Sequence, residues 1–243
     1  MRRLTCQKSR EKVALAAVSE SREPIGPVIV CPLQFERKML LRAGLDGRFP
    51  IECCGPGAEA VKAWAGSFRS TGRMVILAGL AGGLSETCPA GSAQVVDRVM
   101  DALTGEDWTP TSPDAGIDRP GTGSCVLVST DAAVLTSRDK LALAERTGAQ
   151  LVDLESAAFA RSAVAAGWRW AVVRGVSDGW DTDLPRDIDL WIDGVGRARR
   201  GQVAAAIARR PWLMPSVLRL HHRSVEAMGE VARVILRFYG DWS

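Results

Sequence analysis

The chain has 243 residues, 47% of them hydrophobic and 24% charged, with a formal net charge of +3. That supplies a sizeable core, while no run of ~18 or more uninterrupted apolar residues exists to span a membrane. The small charge excess, without regular aromatic interleaving among the basic residues, argues against a nucleic-acid partner.

The first 25 residues combine basic side chains with the short apolar piece VALAAV. That piece is shorter than the ~7–15 residues of a signal-peptide core, so a disordered extension is expected there. Residues 26–243 are expected to form a single domain. PVIVC (27–31) predicts a strand, followed by the amphipathic helix LQFERKMLLRAG (33–44), which stops at Gly44. FPIECC (49–54) and the helix PGAEAVKAWAGSF (56–68) repeat the pattern. MVILAG (74–79) and AQVVDRV (93–99) read as strands. The stretch 101–123, rich in Pro, Gly, Asp and Thr, reads as a surface loop. SCVLVS (124–129), the helix SRDKLALAERTG (137–148), QLVDL (150–154), the helix ESAAFARSAVAAG (155–167) and WRWAVVRGV (168–176) continue the alternation. The remaining residues are helical and basic. Several strands are apolar at nearly every position, as strands covered on both faces are. Alternating strands and helices predict a three-layer α/β/α sandwich around a mixed, largely parallel sheet.

Only two histidines are present, His221 and His222, so acid–base chemistry falls to carboxylates. The cysteines, Cys6, Cys31, Cys53, Cys54, Cys88 and Cys125, form no CxxC pair and read as buried free thiols of a cytoplasmic protein. No metal site is expected.

Ligands of open α/β sheets bind beyond the carboxyl ends of the strands. Three features fall there. GLAGGL (79–84) lets a ligand approach backbone amides, or simply makes a tight strand-to-helix turn. Its GxxGG spacing excludes a dinucleotide fingerprint. VDLESAAFA (152–160) places Asp153 and Glu155 on one face of an extended segment, although Glu155 also suits a helix N-terminus. VSDGW (176–180) delivers Asp178 at a strand tip, where it either faces a pocket or caps a turn.

GLAGGL, VDLESAA and VRGVSDGWDTDLP, in that order and spacing, resemble the nucleoside phosphorylase and nucleosidase superfamily, over roughly residues 26–185. That superfamily includes purine nucleoside phosphorylases and methylthioadenosine/S-adenosylhomocysteine nucleosidases. The tail RRPWLMPSVLRL, followed by an Ala- and Arg-containing helix, resembles the hopanoid-associated phosphorylase branch. The resemblance implies a nucleoside phosphorylase-like fold and cleavage of the N-glycosidic bond of a purine nucleoside. The branch implies adenine release from adenosylhopane in hopanoid biosynthesis. Either water or phosphate would attack the ribose, phosphate then being a co-substrate, and no other cofactor is implied. Asp178 matches the acid that protonates the leaving purine, with Ser177 steadying it. Glu155 matches the group that grips the ribose hydroxyls, with Leu154 against the sugar. Glu36 matches the glutamate that activates the attacking water, although FERKMLL is equally an ordinary amphipathic helix. Ala81 and Gly82 match backbone positions near the nucleoside, and Val134 lies in the base-binding segment. Arg174 matches an arginine behind the acid, counted with the substrate-binding residues, where an ion-pair role and a catalytic one are both open. Ala133 and Val134 stand where adenine-specific nucleosidases carry an aromatic residue. The alternatives are a methylthioadenosine/S-adenosylhomocysteine nucleosidase and a non-catalytic nucleoside-binding protein on the same fold. A homo-oligomer, with a dimer favoured, is implied by the family alone.

From Gly194 on, nine arginines face three acids, and Arg209, Arg210, Trp212, Leu213 and Met214 bring basic and apolar groups together. Such a segment is either a solvated helix face or a contact with a membrane surface, which would suit a lipid-linked nucleoside.

Overall fold

The computed structural model describes residues 26–69, 72–111 and 124–239. The extension expected over residues 1–25 lies outside them. In chain order, β1 (Val28–Cys31) leads to α1 (Gln34–Leu40), which widens into a π-helical turn over Leu41–Leu45. Gly44 ends that turn with φ at 96°, a conformation glycine adopts without steric cost. Then follow β2 (Ile51–Cys53), α2 (Ala58–Ser67), β3 (Val75–Gly83), β4 (Ala93–Val95), β5 (Arg98–Asp101) and β6 (Asp107–Trp108). The second half holds β7 (Val126–Ser129), α3 (Ser137–Thr147), β8 (Leu151–Asp153), α4 (Ser156–Ala165) and β9 (Trp170–Asp178). It closes with α5 (Arg200–Arg209) and the long α6 (Met214–Tyr239).

The strands form one mixed sheet in the order β2-β1-β3-β8-β7-β5-β6, with β9 paired to β3 and β4 paired to β9. Five of the pairings are parallel and three, β3–β8, β4–β9 and β5–β6, are antiparallel. Alternate residues of one strand enter opposite cores. Val75 and Leu77 of β3, with Trp170 and Val172 of β9, pack against Phe159 and Ala160 of α4 and Val61 of α2. Ile76 and Ala78, with Ala171 and Val173, pack against Leu40 of α1 and Met228, Val231 and Ile235 of α6. This two-sided burial explains why the strands read as continuous apolar runs. The expected three-layer sandwich is therefore the observed one.

Three local readings need correction. GLAGGL is no turn: β3 continues through it to Gly83, because β9 pairs as far as Gly82 and β8 pairs with Gly82 and Gly83. AQVVDRV is two strands. The chain leaves β9 after Val95 and joins β7 from Arg98, so partners change in mid-run. Part of the presumed loop after residue 101 is strand β6, paired antiparallel to β5, while residues 112–123 lie outside the described residues.

One consequence positions the site. β9 runs along one edge of β3, while β1 pairs with Val75–Leu77 and β8 with Gly82 and Gly83 on the other. The second edge thus changes partner partway along. The sheet opens between the carboxyl end of β1 and β8, as ligand crevices of α/β sheets do.

Candidate active site

Each acid at this opening is set by its own element. Glu36 lies on the first turn of α1 and is 2% exposed. Its Oε2 accepts from Leu33 N at 2.8 Å, which caps the helix. Its Oε1 accepts from Leu80 N at 2.7 Å. Gly79 makes this contact possible, since a Cβ there would lie 2.7 Å from Glu36 Oε1 and 2.6 Å from Arg174 Nη1. Burial raises the Glu36 pKa to about 7, opposed by the nearby Arg174 charge.

Glu155 precedes the first turn of α4, and its Oε1 accepts from Gly57 N at 2.8 Å. Burial, with the neighbouring Asp153 charge, pushes its pKa up. Beneath it Asp153 acts as a hub. Its carboxylate accepts from Ser129 Oγ and Ser156 Oγ, each at 2.6 Å, and from the Arg174 guanidinium. Arg174 also stands 3.6 Å from Glu155 Oε2.

Asp178 ends β9. The β3–β9 register shifts between Ala81 and Gly82, so the pairing runs from Val176 to Asp178 and Ser177 is the extra residue. Such bulges re-aim side chains at strand ends, and here Asp178 comes opposite Gly82. Ser177 Oγ lies 2.5 Å from Asp178 Oδ1 and 3.2 Å from Ala81 O. Fully buried Lys140 of α3 donates to Asp178 Oδ2 at 2.5 Å, and to the carbonyls of Gly179 and Thr182 at 2.8 and 2.9 Å. Thr136 caps α3, and Asp183 accepts from Ser137 N at 2.7 Å, which ties that helix start to the loop after β9.

Glu36, Asp153, Glu155 and Asp178 line one cavity of about 200 Å³. Ala81, Gly82, Val134, Leu154 and Ser177 line it too. So do Ala133, Pro32, Leu33, Leu184 and Ile192, which leave much of the wall apolar. Of the residues singled out in the sequence, Arg174 alone is not on the wall. It lies fully buried against Asp153 and does not back Asp178, so it orients the acidic cluster from below. Asp178 is partnered by Lys140, which the sequence reading missed. Its signal was a lysine three residues before Leu143, on the buried stripe of an amphipathic helix. Asp153 was noticed, but not as the hub. The two acidic strand tips are not paired with each other, since β8 and β9 both flank β3. The described cysteines are free, with Cys31, Cys88 and Cys125 buried and Cys53 and Cys54 half-buried.

Carboxylates thus line a cavity at the opening of a mixed α/β sheet. Residues 122–209 match the model of the Phosphorylase superfamily. No curated protein matches the chain. Among solved structures, the chain is similar to methylthioadenosine/S-adenosylhomocysteine nucleosidase from S. pneumoniae, with a TM-score of 0.60 and 14% identity over 87% of this chain and 97% of that one. It is similar to futalosine hydrolase of Helicobacter pylori, with a TM-score of 0.57 and 14% identity over 88% and 97%. It is also similar to 5'-methylthioadenosine nucleosidase of Arabidopsis thaliana, with a TM-score of 0.56 and 16% identity over 88% and 96%. The resemblance to the superfamily read from the motifs holds, and the chain has its fold.

Proposed function

We propose that the protein hydrolyses the N-glycosidic bond of a purine nucleoside. The observation that carries this reading is the convergence of four buried carboxylates, Glu36, Asp153, Glu155 and Asp178, on one largely apolar cavity. In the proposed reaction Glu36 takes a proton from a water whose oxygen attacks the anomeric carbon. The carbon–nitrogen bond breaks, its electron pair passes to the base, and the base is protonated through Asp178. The Lys140 ammonium donates a hydrogen bond to Asp178 and fixes the position of its carboxyl group. Glu155 accepts hydrogen bonds from the two ribose hydroxyls, and its charge favours the cationic sugar of the transition state.

Adenosylhopane is the substrate we infer, with adenine as the released base. The tail resemblance supports it, and the apolar wall formed by Pro32, Leu33, Leu184 and Ile192 suits an apolar 5′ substituent. The fold shared with methylthioadenosine nucleosidases supports the alternative of a small thioether nucleoside.

The test is base release by the purified protein from adenosylhopane, adenosine and methylthioadenosine. Release from adenosylhopane is expected, and Asp178→Asn is expected to abolish it in protein that a melting curve shows to be folded. Release from methylthioadenosine alone would transfer the protein to the alternative. Nucleoside binding without release from any of the three would leave a binding protein on this fold and refute the proposal.

A further inference from the structure

From Gly194 to Val225 the chain has seven arginines, two histidines and neither Asp nor Glu. This segment forms α5, a turn of 3-10 helix at Pro211–Leu213, and the start of α6. No residue of α6 from Met214 to Arg223 is buried, and its core-facing stripe begins at Ser224. This end of the helix therefore projects past the sheet on which the rest of α6 packs.

Its exposed side chains are not those of an ordinary solvated face. Trp212 is 71% exposed, Leu218 59% and Met214 42%. Met214, Leu218 and Val225 follow one another at spacings of four and seven, which places them on one face. Single exposed apolar residues need no explanation, but here a tryptophan and an aliphatic row lie among arginines. Arg210 is held by Asp187 and Arg223 by Glu226, while Arg209 and Arg219 are exposed.

We propose that this ridge docks on an anionic lipid surface. Trp212, Met214 and Leu218 would enter the boundary between headgroups and acyl chains, and the arginines would meet lipid phosphates. Charge selects this occupant over a second copy of the chain. An isologous contact would set the same arginine-rich surface against itself. Among the described residues no helix is long and apolar enough to cross a membrane, so the ridge lies on the surface. The same part of α6 stands beside the candidate site. Ser216, Arg219 and Arg223 face Ser177 and Asp178 across a second cavity of about 400 Å³. On the reading given under Proposed function, a nucleoside held in the bilayer would enter from this side.

The test is cosedimentation of the full chain with vesicles of phosphatidylcholine alone, or mixed equally with phosphatidylglycerol. Binding to the anionic vesicles is expected to be about tenfold stronger and to weaken as salt is raised. Trp212→Ala with Leu218→Glu should cut that binding about tenfold while leaving the melting temperature and base release from a soluble nucleoside unchanged. Equal binding to both vesicle types, no binding, or wild-type binding by the double variant would overturn the proposal. So would a change in oligomeric mass of the double variant with lipid binding intact, which would put a second copy on this face. Vesicle binding is read without catalysis, so its failure and a failure of base release are separate results.

Discussion

Asp178 and Lys140 are almost completely removed from water, with 5% and 0% of their side chains exposed. Removing one partner of a buried ion pair leaves the other uncompensated, which costs about 3–5 kcal/mol. Lys140→Met is therefore expected to lower unfolding free energy by about that amount and to remove base release. Lys140→Met combined with Asp178→Asn should recover much of the stability and none of the activity. Denaturant melts and an adenine-release assay on Lys140→Met, Asp178→Asn and the double variant check both. Glu36 makes a prediction of opposite sign in pH. Its unfolded carboxyl ionises near 4.5, while burial holds the folded one at about 7. Between these values the folded state keeps a proton that the unfolded state has released. Its stabilising contribution is therefore complete below about pH 4.5 and is lost as pH rises through about 7. The stability advantage of the wild type over Glu36→Gln should shrink by roughly 2 kcal/mol between pH 5 and pH 8. Base release should rise over the same range, because only the ionised carboxylate can accept the water's proton. Parallel melts and rate profiles would separate these trends. Acids at strand ends and helix starts were visible as candidates in the sequence. Their partners were not, because Lys140 and Asp178 meet across 38 residues of chain.

Helix α6 and strand β9 meet at a glycine. A Cβ on Gly175 would stand 2.9 Å from Ala227 Cβ and 3.0 Å from the Ala227 carbonyl. The backbone of α6 cannot give way as a flexible side chain can. Gly175→Ala should thus destabilise the fold by about 1–3 kcal/mol, as overpacking does, which thermal unfolding would show. A neutral result would mean that α6 can move away from the sheet at Ala227 at little cost. The element boundaries also show what local pattern can and cannot convey. α3 begins at a capping Thr136 and ends at Gly148 with φ at 67°, both readable from residue type. The length of β3 was not readable. Gly79, Gly82 and Gly83 look like a turn, and only pairing with β9 and β8 keeps them extended.

At the scale of the molecule, the composition of the cavity wall supports the proposal of water over phosphate as nucleophile. No Arg or Lys is among the residues lining the cavity of about 200 Å³, and Arg174 is committed to Asp153 and Glu155. The Gly57 amide, which could cradle an anion, already donates to Glu155. A phosphate in this cavity would lie beside carboxylates, with no Arg or Lys on the wall among the described residues. Base release is thus expected to be the same with and without phosphate, with free ribose at the anomeric end of the product. A phosphorylated product would show that the anion site is built elsewhere. The layered architecture was legible from the chain alone, because burial on both faces imposes apolar runs and helical periodicity imposes amphipathic segments between them. The acids were legible because their residue types and order match a known pattern. The meeting of the four acids on one cavity, the lysine behind Asp178 and the withdrawal of Arg174 from the wall were settled only by tertiary structure. Each depends on strand partners and a register shift between segments far apart in the chain, and local propensity carries no record of those contacts.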